Sequence, residues 1–206
     1  MEAIDQRRKR SARVEPSAEW VRAPEAKARI INAAIELLST KPFADVSIRK
    51  IALAAELPVS SVQRNFGTMD SLFGEVANEL SRRFSKRAAE GSSLGLMQDP
   101  DIVLRTRLVA WMITSGSQLE SVRVDATQVA YQKLLERQQI DGLSSRTNTA
   151  FMEILLLMAQ GFVVFGEVHP NLSSQVVEDG FALLGKFREG LAVIEAELGW
   201  SDGSPS

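Results

Sequence analysis

The sequence predicts an all-α protein: an N-terminal three-helix head carrying a helix-turn-helix, set on a C-terminal helical-bundle body. Three observations predict it. Apolar residues recur at i, i+3, i+4 and i+7 in one segment after another, with no strand-like alternation. Gly, Pro and Ser clusters at Gly91-Ser92-Ser93, Gly142-Ser144 and His169-Pro170-Asn171 cut the chain into helix-length pieces. Near the N-terminus two short amphipathic pieces are separated by a single turn, as in two helices that cross at a tight corner.

Composition sets outer bounds. The 206 residues fit one large domain or two small ones, and 45% hydrophobic with 24% charged residues is an ordinary globular mixture. The net charge of −2 is unevenly spread. Residues 1–70 hold 12 Lys and Arg against 9 Asp and Glu, whereas residues 71–206 hold 12 against 17. A basic front on an acidic body suits a head that meets phosphate and a body that does not. There is no cysteine, which excludes disulfides, a thiolate nucleophile and a Cys-based zinc site and fits a reducing cytoplasm. Arg7-Arg8-Lys9-Arg10 lacks the apolar run that would make it a targeting segment. The most apolar run, Phe151 to Val168, contains Glu153, Gln160 and Glu167. It reads as a buried helix and not as a membrane span.

Residues 1–22 read as a disordered basic arm, with five basic residues between Arg7 and Arg13, among them Arg7, Arg8 and Arg10. Such an arm can lie along phosphates or reach into a minor groove. The DNA-binding head is expected over residues 23–75. Its first helix begins near Pro24, a residue favoured at helix starts, and carries Ile31, Ala34, Ile35 and Leu38 on one face. Lys41-Pro42 ends it, and Phe43 and Val46 turn back into the core.

Ser47 is a good N-cap for a second helix whose apolar face is Ile48, Ile51, Ala52 and Ala55. Glu56-Leu57-Pro58 breaks it, because Pro58 disfavours the α conformation at Leu57. A third helix follows with Val59, Val62 and Phe66 on its buried side, leaving Ser60, Ser61, Gln63 and Arg64 outward. Thr68 caps a fourth helix with Asp70 in its first turn and Leu72, Phe73, Val76 and Leu80 as its stripe. It runs to about Ala89 and links head to body.

These residues resemble the DNA-binding region of the TetR family of bacterial transcriptional regulators. The likeness rests on Ser47-Ile48-Arg49-Lys50-Ile51-Ala52, Ala55, Ser61-Val62, Phe66 and Leu72, and it covers about residues 24–76. It implies that Arg49, Val59, Ser60, Ser61 and Arg64 face the major groove. Either arginine could pair bidentately with guanine O6 and N7. Ser47, Gln63, Asn65 and Thr68 would lie near phosphates. The chain departs from the family's pattern in four places: Glu56 stands where Gly is usual, Gln63 and Asn65 replace Tyr and His, and Met69 replaces Lys. The Tyr and Lys typically touch phosphate, so backbone anchoring is expected to shift to the basic arm.

The body, residues 76–206, reads as helices over about Pro100–Gln118 (capped by Asp99), Val122–Gln139, Arg146–Glu167 (capped by Ser145) and Ser173–Leu198. Trp111, Met112, Thr114, Ser115 and Gln118, with Tyr131 and with Phe151, Met152 and Leu155, are the candidates to line a mostly apolar pocket. Few cations stand among them, which favours a neutral, hydrophobic effector. The last two helices are the candidates for a homodimer. Val177, Phe181, Leu184, Leu191, Ile194 and Leu198 share one face, Val176, Leu183 and Phe187 widen it, and Phe165 stands on the preceding helix. Gly161 and Gly166, with Gly180 and Gly185, permit close helix approach. Two heads on a two-fold axis would read a palindromic operator in double-stranded DNA.

Catalysis has no footing in the sequence. The one histidine, His169, stands in a turn, and no phosphate loop, nucleophile elbow or paired metal ligands are present. No catalytic residue, metal or cofactor is therefore assigned, and no membrane partner. The reading is a cytoplasmic, ligand-responsive transcriptional regulator, a repressor released by a small hydrophobic effector. The alternative is a TetR-like protein with lost or weak specific DNA binding that senses a ligand or docks a protein. A helical enzyme or carrier using the body cavity comes last.

Overall fold

Helices are the only extended elements among the described residues. The computed structural model describes residues 23–90, 99–117, 119, 120, 122 and 140–200, with only the backbone at 88 and 89. In chain order the helices are α1 (Ala23–Thr40), α2 (Ile48–Ala54), α3 (Val59–Phe66), α4 (Met69–Ala89), α5 (Pro100–Thr114), α6 (Ser145–Phe165) and α7 (Ser174–Leu198). A 3₁₀ turn at Phe43–Asp45 joins α1 to α2. The basic arm with Arg7, Arg8 and Arg10, and most of the helix expected at 122–139, lie outside the described residues.

The head closes around side chains that the helical period singled out. Ile30, Ala34, Leu38, Ile51, Val62, Leu72, Phe73 and Val76 are buried in one cluster shared by α1 to α4. Ser47 caps α2 by accepting from the Lys50 amide, and Thr68 caps α4 by accepting from the Ser71 amide at 3.1 Å. The cluster does not stop at the head. Leu108 and Met112 of α5 are part of it, and Trp111 lies edge-on to Phe43 and Phe73, with centroids 6.1 and 5.8 Å away. A three-helix head this small gains much of its buried area from α4 and α5.

A polar joint reinforces that continuity. Asp99 is buried, caps α5 by accepting from the Asp101 and Ile102 amides, and receives the guanidinium of Arg87 from the last turn of α4. Arg87 also pairs with Asp101 at 2.7 Å. Asp99 in particular draws the guanidinium into the pair and raises its already high pKa, against the opposing effect of burial.

The body departs from expectation at three boundaries. α5 stops at Thr114 and not at Gln118, because Thr114 Oγ1 turns back to the Ala110 and Trp111 carbonyls and Gly116 takes a positive φ of 73°. Ser144 caps α6 where Ser145 was expected; its hydroxyl accepts from the Thr147 amide at 3.2 Å. And α6 ends at Phe165 in a 3₁₀ turn, Gly166–Val168. α7 agrees with its expected span, capped by Ser173 and closed by Gly199 at φ 65°.

α6 corrects a larger expectation. It is not a buried helix within this chain: much of it is half-buried or exposed, only 11% of its most apolar stretch is fully buried, and by length and hydropathy (1.8) it could cross a membrane. Ile154, Leu157, Met158 and Phe165 are exposed, although α5 packs on α6 and Arg107 Nε donates to the Val163 carbonyl at 3.4 Å. α6 and α7 are pinned near one end by a buried polar cluster. Glu195 of α7 accepts from the Ser144 amide at 2.9 Å and the Thr147 hydroxyl at 3.0 Å. Phe151 and Phe187 meet farther along, with centroids 6.0 Å apart.

Candidate nucleic-acid interface

α3 has two faces of different chemistry. Val62 and Phe66, one turn apart, enter the core, and Lys27 of α1 lies over the Phe66 ring at 5.6 Å. The opposite face presents Ser60, Gln63 and Arg64, all exposed. Val59 joins them. It was expected on the buried side as well as near the groove, yet it is 36% exposed, because it is the first residue of the helix. Ser61 is half-buried. Arg49 projects from α2 and is exposed.

Several of these groups are held by the helices themselves. Asn65 Nδ2 donates to the Ser61 carbonyl at 2.7 Å, and Arg64 Nε reaches the Ser60 carbonyl at 3.4 Å. Lys50, named in the resembling stretch but given no contact there, donates Nζ to the Asp45 carbonyl at 2.7 Å and so fastens α2 to the 3₁₀ turn. Thr68 spends its acceptor on the α4 cap but keeps its hydroxyl proton. Met69 is turned inward and packs on the head core, a seat for which a lysine would have to be desolvated. What remains outward is a strip of small, polar and cationic side chains of the size and type that enter a major groove.

The turn between α2 and α3 is strained. Glu56 has a φ of 54°, the one positive φ at a non-glycine residue among the described residues. The amides of Leu57 and Glu56 bond back to the Ala52 and Leu53 carbonyls at 3.0 and 3.1 Å. This helix-ending pair of bonds puts its middle residue in the left-handed region, where glycine is easiest.

The effector candidates are scattered. Trp111 and Met112 belong to the joint between head and body, where Met112 is fully buried and Trp111 is wedged between two phenylalanines. Ser115 closes α5 and is exposed. Gln118 and Tyr131 lie outside the described residues. Phe151 is buried, while Met152 and Leu155 are half-buried on α6. A groove of about 490 Å³ opens between Val103 and Arg107 of α5, Phe162 and Val163 of α6, Leu172 in the turn before α7, and Val177 of α7. Arg107 crosses it to pair with Glu167. Of all the residues proposed for a ligand or an interface, the groove holds only Val177 and Gly166.

The interface candidates are exposed or half-buried with one exception. Phe165 is 64% exposed, Phe181 53%, and Leu183, which only widened the predicted stripe, 72%. Gly161, Val177 and Leu184 are half-buried. Leu191 is the exception: it is 5% exposed and packs inside the chain. No atom lies within 4 Å of where a Cβ would stand at Gly161, Gly180 or Gly185, so the chain's own packing does not call for glycine there.

Comparison with known proteins places the strip in context. Residues 30–76 match the model of the bacterial regulatory proteins of the tetR family. Among solved structures the chain is similar to a multidrug binding protein, EbrR, crystallised with imidazole: 20% identity over 78% of this chain and 95% of that one, TM-score 0.42. It is also similar to a putative TetR-family transcriptional regulator from Mesorhizobium loti MAFF303099, with 22% identity over 86% and 97% of the two chains and a TM-score of 0.48. No curated protein sequence matches it.

Proposed function

We propose, from the premise that residues 30–76 belong to the TetR family of bacterial regulatory proteins, that this chain is a ligand-released repressor. It is a DNA-binding transcriptional regulator by that domain. In the reading proposed here it acts in the cytoplasm as a homodimer, with residues 23–75 as the reading head and residues 76–206 as the sensing and pairing body. Two heads hold a palindromic operator, and a small hydrophobic molecule in the body releases it.

The observation that carries the reading is the outward strip of α3 with Arg49 beside it. With Val62 and Phe66 anchored inward, Ser60, Gln63 and Arg64 stand exposed at the second helix of a tight corner, where a recognition helix offers its side chains to a groove. The dimer is supported by the large apolar side chains that α6 and α7 leave exposed, such as Leu157, Phe165, Phe181 and Leu183. That surface is assigned to a second copy of the chain and not to a membrane. The groove between α5, α6 and α7 has the volume of a small-molecule site. A molecule wedged there would act on α5, and through the Arg87–Asp99 joint on α4 and the spacing of the heads. Its leverage is its difference in affinity for the two spacings, on the order of 1–3 kcal/mol.

The test is binding of the purified protein to its own upstream intergenic DNA by fluorescence anisotropy across a salt series. Tight, sequence-selective binding with a steep salt slope is the expected result. Equal, weak binding to random DNA would sink the repressor reading and leave a ligand-sensing or docking protein.

A further inference from the structure

We propose that Arg29 of α1 is a positioning residue for the recognition helix α3, acting through the strained turn at Glu56. The proposal rests on the DNA-binding reading of α3 for its consequence, but its geometry stands within the head alone.

The bonds that end α2 require a left-handed residue at position 56, and the chain places a glutamate there. A Cβ in that region crowds the following carbonyl, so a non-glycine turn tends to relax unless something outside it holds it. Arg29 is that outside contact. From α1, 26 residues earlier, its Nη2 donates to the Ala55 carbonyl at 2.9 Å. The same nitrogen lies 3.5 Å from the Glu56 carboxylate. One guanidinium thus grips the turn at the residue before the strained one and at the strained residue's own side chain.

The carbonyl bond is the stronger grip. Ala55 is the C-cap of α2, so its carbonyl is one of those the helix cannot satisfy, at the negative end of the helix dipole. The ion pair is largely exposed and holds less firmly. It does offset an acidic side chain close to the helix that is to approach phosphates.

The turn matters because α3 has little else to fix its start. Its N-cap is Pro58, which makes no side-chain capping bond. The direction of α3 relative to α2 is therefore set by the corner and by the Val62 and Phe66 anchors beyond it. Base contacts need donor and acceptor within a few tenths of an ångström, whereas phosphate contacts from long side chains tolerate drift. Loosening the corner should cost discrimination more than general affinity.

Four proteins test this: the natural chain, Arg29→Ala, Glu56→Gly and the double variant. Two readouts are taken. One is anisotropy on the upstream intergenic DNA and on a scrambled duplex of equal length. The other is amide hydrogen exchange at Leu57, whose N–H bonds to Ala52 across the turn. Arg29→Ala is expected to lower the ratio of specific to scrambled affinity by about tenfold, the worth of one base contact. It should also speed Leu57 exchange by about tenfold, as local opening becomes easier. Scrambled binding should change less than twofold. The double variant is expected to recover both, because glycine holds the left-handed turn unaided. Equal losses in Arg29→Ala and the double variant would make Arg29 an ordinary stabilising or phosphate contact and overturn the proposal. If the natural chain shows no sequence preference, the DNA reading fails by itself, and exchange decides alone. Acceleration rescued by Glu56→Gly upholds the positioning role, and unchanged exchange ends it.

Discussion

The head and the last two helices solve opposite problems with the same element. In the head, helices turn their apolar sides to one another and to α5, and the surface left over is polar: Ser60, Gln63, Arg64 and Arg49. In α6 and α7 much of the apolar surface faces away from the chain, as at Leu157, Phe165, Phe181 and Leu183. A polar strip over a closed core suits a charged, hydrated partner that comes and goes. An apolar surface over a thin core suits a permanent partner made of protein. The head buries its apolar sides within the chain, and α6 and α7 leave large apolar side chains open.

The widest separation of the two regions comes from truncating one phenylalanine in each. Phe73→Ala removes a ring that is 1% exposed and stacked edge-on against Trp111, so it should cost about 3–5 kcal/mol in denaturant unfolding. Phe181→Ala, at 53% exposure, should cost under about 1 kcal/mol when the chain is dilute enough to be monomeric. A comparable loss at both sites would show that α7 is as self-sufficient as the head, and the contrast would be gone.

A charge on the apolar surface comes next. Leu183→Glu adds a carboxylate where 72% of the side chain is open, so it leaves the chain's own packing alone. Burying that charge in a self-associating face should weaken association about a hundredfold, roughly 2.7 kcal/mol, seen by sedimentation velocity over a dilution series. The unfolding midpoint of the natural protein should rise with concentration, and that of the variant should not. A variant that sediments like the natural chain would place the dimer, if any, on another surface.

Third is the joint between the regions. Arg87→Ala leaves Asp99 buried without its partner. Losing one member of a fully buried pair costs about 3–5 kcal/mol, and since Arg87 is a third exposed about 2 kcal/mol is expected here, by denaturant unfolding. Asp99→Asn with Arg87→Ala should recover part of it, because a neutral cap still accepts from the Asp101 and Ile102 amides.

Much of the head was legible in the sequence because local signals and the core agree there. Ser47, Thr68 and the Ile/Leu/Phe stripes each state a cap or a face that the neighbouring helices then use. Val59 was misread because periodicity gives a face without saying how far the neighbouring helix extends. Trp111 and Met112, candidates for a pocket by sequence, also pack at the joint between head and body, a contact that helical period alone does not reveal. Leu191 was read as interface and is interior for a related reason: on a helix apolar over a wide arc, period alone does not divide the side facing the chain from the side facing a partner. Ser144 and Ser145 are both good caps, and the choice between them was made by a residue 51 positions away, Glu195. The groove at Arg107 had no local signal, because its walls come from three helices.

That same Glu195 gives the gentlest probe of the body. Hydrogen bonds from Ser144, side chain first and then backbone amide, and from the Thr147 hydroxyl hold its carboxyl below the ordinary value of 4.5, against the opposing effect of burial. A carboxyl with a depressed pKa in the folded state binds its proton less readily there than in the unfolded chain. Its stabilisation is therefore complete above the unfolded pKa and is lost as pH falls through the folded one. Unfolding free energy measured from pH 6 downward should start to fall near pH 4.5 and keep falling below it, with a shallower decline in Glu195→Gln. The acid loss should appear first as opening between α6 and α7, read by hydrogen exchange at the Ser144 amide, while the Leu57 amide in the head stays protected. Simultaneous loss at both amides would mean that one cooperative unit spans head and body, with the Arg87 joint and the Trp111 wedge strong enough to erase the boundary between them.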